Sequence, residues 1–125
     1  MKERNVMSEE WNKKFIRGIF INKKRILKCI DIILTKTGVV FDEVCMILTN
    51  NMFENWEENQ CDKNEVILSM SFPGYSDEVS YITYEQLFDL LEYGLSVFGE
   101  RFNNLDKKEI SERLEKAKFN LMNHK

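Results

Sequence analysis

Apolar side chains recur at two spacings along this chain, and the spacing switches from helical to alternating and back. Ile26, Leu27, Ile30, Ile33 and Leu34 fall at i, i+1, i+4, i+7 and i+8. That is one face of a helix, which Asn22 would cap and Gly38 would stop. Ahead of it, Ser8 to Phe20 reads as a shorter helix opened by Ser8, Glu9 and Glu10, its end weakened by Gly18 and the run Phe15–Ile21. Phe41, Val44, Cys45 and Leu48 also have helical spacing and predict a short helix before the breakers Asn50 and Asn51. Residues 52–63 are polar and acidic around Phe53 and Trp56, a loop or irregular edge. The period then changes to two. Val66, Leu68, Met70 and Phe72 alternate with Ile67, Ser69 and Ser71, and Val79, Tyr81 and Thr83 alternate with Ser80 and Ile82. With Pro73-Gly74-Tyr75-Ser76 between them, the two runs predict an antiparallel hairpin.

Thr83-Tyr84-Glu85-Gln86 matches a capping box, with Thr at the N-cap and Gln three residues on. Leu87, Leu90, Leu91, Gly94, Leu95 and Phe98 continue as one stripe, predicting a helix over residues 84–100. A last helix begins at Asp106-Lys107-Lys108-Glu109 with the stripe Ile110, Leu114, Ala117 and Leu121. The fold class expected is α+β: a predominantly helical single domain over residues 1–125 packed on a small antiparallel sheet, with residues 1–7 frayed. Two strands alone are marginal, so a third is expected at Met52–Trp56 or Phe15–Ile21.

Composition narrows the class. At 125 residues, 43% hydrophobic and 31% charged, the chain fits one soluble domain with a substantial core. No secretory leader is visible at the start, and the Ile26–Leu34 stretch is far too short for a membrane span. Three cysteines without CxxC spacing suit a reduced cytoplasm, not a disulfide framework.

Charge changes the picture more. Thr37 to Glu100 holds thirteen acidic side chains and one basic one, Lys63. Residues 1–36 carry ten Lys/Arg against four acids, and residues 101–125 carry seven against four. An acidic centre between basic ends speaks about partners, not fold. Lys23, Lys24, Arg25 and Lys28 crowd the first turns of a helix, the end where the dipole disfavours cations.

Catalytic chemistry finds little to work with. The lone histidine, His124, stands next to the C-terminus. Cys29 sits between Ile26 and Ile30, as a core residue would, and Cys61 lies among Glu57, Glu58 and Asp62, which raise a thiol pKa. No phosphate-binding glycine motif occurs, and Glu54, Glu57, Glu58 and Asp62 lack the spacing of a calcium loop. No enzymatic activity, cofactor or metal is expected. With an acidic centre and a pI of about 5.3, nucleic-acid binding is disfavoured.

The segment Glu65–Phe102 carries a resemblance. An apolar strand ends in Phe72-Pro73-Gly74-Tyr75; Asp77-Glu78-Val79 follows; then Tyr81-x-Thr83-Tyr84-Glu85-x-Leu87-Phe88 opens a long helix. This pattern, about a third of the chain, resembles bacterial contact-dependent growth inhibition immunity proteins, the group that neutralises ribonuclease toxins (EndoU-like ones among them). The resemblance implies a non-enzymatic cytoplasmic inhibitor that covers a toxin's active site or RNA-binding surface. RNA-cleaving domains need cationic surfaces, and an acidic protein complements them. The resemblance hands over no contact residues. From this sequence the candidates are Glu54, Glu57, Glu58 and Asp62 in the loop, Asp77 and Glu78 before the second strand, and Trp56 and Tyr75 as anchors. The rival reading is an adaptor or regulator with basic ends on nucleic acid and the acidic centre on a protein.

Overall fold

A computed structural model describes residues 8–42, 44–50, 63–71, 74 and 77–123. Helix α1 (Glu9–Ile19) starts where Ser8 accepts a hydrogen bond from the Trp11 amide, and acidic Glu9 and Glu10 suit its positive end. Helix α2 (Lys23–Thr35) is capped by the Asn22 side chain, as its pattern predicts. It stops earlier than Gly38. Lys36 takes the left-handed conformation at φ 56°, with its amide on the Ile32 carbonyl, and its ammonium lies 4.1 Å from the centre of the Tyr84 ring. That cation–π contact holds a lysine where glycine is usual.

Four strands follow or flank the next turn: β1 (Val39–Val40), β2 (Cys45–Thr49), β3 (Glu65–Met70) and β4 (Glu78–Thr83). They form one antiparallel sheet in the order β1-β2-β3-β4. The β3–β4 hairpin expected from alternation is present, pairing Val66 with Ile82 and Leu68 with Ser80, and Gly74 between them has φ 82°.

The short helix expected over Phe41–Leu48 is instead a turn and a strand. Asp42 explains the outcome. Its Oδ1 accepts the amides of Val44 and Cys45 at 2.8 Å each, and Phe41 donates to the Cys45 carbonyl at 2.9 Å, closing the connection between β1 and β2. Beyond the turn, Cys45, Ile47 and Thr49 are buried while Met46 and Leu48 are half-buried. The third strand is therefore β2. Of the two segments expected to supply it, Phe15–Ile21 is the end of α1 and its turn, and Met52–Trp56 lies outside the described residues.

Helix α3 (Tyr84–Phe98) has the capping box its sequence predicts, with Gln86 N donating to Thr83 Oγ1 and Thr83 N to Gln86 Oε1. A single 3-10 turn at Gly99–Arg101 leads to α4 (Asn104–Asn123), which starts two residues before Asp106 because Asn103 caps it. One buried cluster unites the helices with one face of the sheet through Ile47, Val66, Leu68 and Ile82. The domain is thus α+β with helix predominating. Helix α4 packs mainly on α2 and α3, over Ile110, Leu114 and Ala117.

Ion pairs settle two of the four misplaced cations of α2, Lys23 and Arg25. Lys23 reaches Glu109 at 2.9 Å and Asp106 at 3.2 Å on α4, and Arg25 reaches Asp42 at 2.6 Å. Arg113 of α4 returns the tie, reaching Asp31 of α2 at 2.6 Å. Contacts to acids on other elements offset the unfavourable dipole at the helix start.

Gly94 sits where α3 meets the fully buried Phe20, and a Cβ there would enter the Phe20 ring. Alanine gains about 1 kcal/mol of helix propensity, but overpacking costs about 1–3 kcal/mol. Gly94→Ala should therefore lower stability slightly and Gly94→Val markedly, read from the urea midpoint at constant m. Asp42 supplies a pH-dependent effect. Arg25, then the amides of Cys45 and Val44, hold its carboxyl below the ordinary range. A depressed carboxyl contributes stability above its unfolded value near 4, lost as pH falls through the folded value. Asp42→Asn should cost about 0.5–1 kcal/mol at neutral pH, and the difference from wild type should vanish in acid.

Candidate partner-binding surface

Buried chemistry comes first, because a nucleophile would redirect the reading. Cys29 is fully buried on α2, and burial, then the neighbouring Cys45, pushes its thiol pKa up. Burial, then Asp42, raises Cys45 to about 11. Neither thiol is a thiolate at neutral pH. Among the described residues no three His, Cys, Asp or Glu side chains cluster as metal ligands would. No helix among them is long and apolar enough to cross a membrane.

The acidic side chains divide by whether another part of the chain engages them. Asp31, Asp42, Asp106 and Glu109 are consumed by the ion pairs that tie α2 to α4 and to the β1–β2 turn. Glu9 pairs loosely with Lys13 at 4.0 Å on α1. Glu85, Asp89 and Glu92 are exposed along one side of α3, spaced i, i+4, i+7, and form no ion pair with a described residue. Of the three, Asp89 lines a shallow groove between α1 and α3, together with Glu9, Asn12, Lys13, Gln86, Leu90 and Tyr93. Inside it Lys13 lies 4.9 Å from the Tyr93 ring centre, and Asn12 Oδ1 is buried with no hydrogen-bond partner among the described residues.

Of the residues singled out in the sequence, Asp77 and Glu78 are described and exposed. Glu78 begins β4 and accepts a hydrogen bond from Trp11 Nε1 at 3.3 Å, which ties the sheet edge to α1. Glu54, Trp56, Glu57, Glu58, Asp62 and Tyr75 lie outside the described residues. The groove beside α3 was overlooked in the sequence. Its acidic spacing is readable there, but the pairing of α3 with α1 that gives it a floor is not.

Comparison with known proteins decides the family. A family model described as CDI immunity protein matches residues 8–114, which is most of the chain. The chain belongs to this family. CDI is contact-dependent growth inhibition, and an immunity protein of this kind binds and neutralises a cognate toxin, generally without an enzymatic step of its own. No curated protein and no solved structure matches significantly. The match spans α1 through the middle of α4, so it takes in the acidic side of α3 and the ion pairs that orient α4.

The buried thiols give a check on this non-catalytic reading. Cys29 and Cys45 should resist a charged thiol reagent at neutral pH in the native protein and react fully in denaturant. Mass spectrometry of the labelled chain distinguishes them from Cys61.

Proposed function

We propose that this immunity protein neutralises a basic ribonuclease toxin domain by covering its active site or RNA-binding surface with an acidic face, in the cytoplasm of the cell that makes it. The observation that carries the reading is the unpaired row Glu85, Asp89 and Glu92 on α3 beside the α1–α3 groove. A ribonuclease must present cations to bind phosphate, and an acidic face accelerates encounter with such a surface and rejects acidic competitors. Asp77 and Glu78 at the start of β4, and the loop acids Glu54, Glu57, Glu58 and Asp62, extend the same sign of charge along the sequence. Trp56 and Tyr75 are the aromatic candidates for anchors.

The adaptor reading draws less support. Lys23, Arg25 and Arg113, three cations of the basic ends, already hold acids of the same chain. Phosphate would have to displace those pairs.

The test is association with the toxin domain encoded beside this chain, followed at several salt concentrations. Reversing Glu85, Asp89 and Glu92 together to lysine should slow association about 10–100-fold at low salt, with a smaller effect at high salt. Reversing Glu57, Glu58 and Asp62 measures the loop separately. If neither triple variant changes the rate or protection from the toxin, the acidic-face mechanism is wrong.

A further inference from the structure

Four helix ends meet on one side of the fold. Residues 20–22 join the end of α1 to the start of α2. Phe20 packs against Phe98 at the end of α3, and Lys23 reaches Asp106 at the start of α4. Residues 17–25 and 97–109 are thereby brought together, and they hold seven cations and three acids. Asp42, held by Arg25, adds a fourth acid. Among the described residues this end keeps an excess of three positive charges, in a chain whose formal net charge is −3. Lys23 and Arg25 are spent on ion pairs. Arg17, Lys24, Lys107 and Lys108 pair with no described residue, and Arg101 lies 5.0 Å from the Phe98 ring centre.

Apolar side chains stand among these cations. Ile21 is 56% exposed, Val97 51% and Leu105 79%, three of the six large hydrophobics left exposed among the described residues. Each adjoins one of the contacts that gather the helix ends: Ile21 follows Phe20, Val97 precedes Phe98 and Leu105 precedes Asp106. A single exposed leucine needs no explanation, but three tips from three elements on one patch mark an interaction surface.

The chemistry of the patch selects its occupant. Unpaired cations require an anionic partner. Nucleic acid supplies anions, but single strands dock on aromatic stacking platforms and duplexes on polar contacts to backbone and base edges. The exposed tips here are aliphatic. Aliphatic side chains among lysines and arginines suit the boundary between charged lipid headgroups and acyl chains. The acids that open α1 and α3, Glu9, Glu10 and Glu85, stand at the far ends of those helices. Glu85 lies twelve residues before Val97 on α3, about 18 Å along the helix axis. That exceeds the screening length of about 8 Å at physiological ionic strength, so an anionic surface at the basic end scarcely repels it.

We propose that this end of the fold docks on an anionic lipid bilayer, its cations on the headgroups and Ile21, Val97 and Leu105 at the acyl boundary. The binding is peripheral and reversible, because a few side chains and not a whole helix face enter the interface. Docked in this way, the chain turns the starts of α1 and α3 away from the lipid. The proposal uses none of the acids of the acidic-face mechanism and stands apart from it.

Co-sedimentation of the full chain with vesicles, in the absence of toxin, tests it. The chain should partition onto vesicles of equal parts phosphatidylglycerol and phosphatidylethanolamine, come off as salt rises, and leave pure phosphatidylcholine vesicles bare. Lys24→Gln combined with Lys108→Gln should lower the partition coefficient about 30-fold. Ile21→Ser combined with Leu105→Ser should lower it about tenfold. All four positions are exposed, so both variants should keep the wild-type melting temperature. No binding to the anionic vesicles at low salt overturns the proposal, as does equal binding to phosphatidylcholine. A partition coefficient indifferent to either double variant overturns it too. So does a single-stranded RNA probe that binds the free protein, displaces the vesicles and is lost in the lysine variant, which assigns the patch to nucleic acid. With no toxin present, none of these results depends on the acidic-face mechanism.

Discussion

The contact of the Phe20 ring with the bare backbone of Gly94 sets how the helices meet. Phe20 stands at the corner between α1 and α2, fully buried, and leans on Phe98 at 6.2 Å between ring centres. A side chain at position 94 would hold α3 away from that corner. Close approach there lets Leu87 and Leu91 of α3 share one interior with Ile16 and Ile19 of α1 and with Ile30 and Ile33 of α2. The same interior takes in Ile47, Leu68 and Ile82 from the sheet. Packing at crystal-like density leaves no slack for the geometry to drift. The groove between α1 and α3 is the outer rim of that same junction.

Charge completes what packing begins. The acidic centre and basic ends look in the sequence like a segregation made for partners, and the structure shows that part of it is internal. Basic α2 meets acids from α4 and from the β1–β2 turn, so complementary segments distant in sequence attract each other on folding. Each exposed pair is worth little alone. Their value lies in register: Lys23 with Asp106 and Glu109, and Arg113 with Asp31, fix the first half of α4 along α2 at two levels. Among the acids left without a described counterion after this pairing are those on α3 and at the start of β4.

Much of the fold was legible because its periods were clean. The stripes of α2 and α3, the capping box at Thr83–Gln86 and the β3–β4 alternation all appear where sequence spacing puts them. Residues 41–48 were misread for a physical reason. Phe41, Val44, Cys45 and Leu48 match a helical period by coincidence, and the buried alternation Cys45, Ile47, Thr49 ends in a polar residue that hides it. Thr49 is tolerated inside because its hydroxyl accepts the Gly38 amide at 3.0 Å. The stop of α2 was misplaced likewise, since a left-handed lysine leaning on Tyr84 leaves no local signature. As for the candidate surface, the spacing of Glu85, Asp89 and Glu92 is visible in the sequence, but nothing there sets it apart from an ordinary solvated helix face. Which acids stay unpaired depends on contacts between elements far apart in the chain.

For a protein that must intercept a toxin quickly and then hold it, the two demands fall on different groups. Long-range charge raises the encounter rate, yet affinity among related complexes is set mostly by dissociation, which depends on buried anchors. The α3 row supplies charge and few anchors: Leu90 is buried in the core, and Tyr93 already carries Lys13 on its face. Acids on α3 thus suit the approach of a basic domain better than its retention. Retention calls for aromatic surface, and the chain concentrates charge and aromatic residues together in the stretch from Phe53 to Tyr75. Under the proposed mechanism, an immunity function divided in this way would let the acidic face tolerate substitution while the anchors determined which toxin is held.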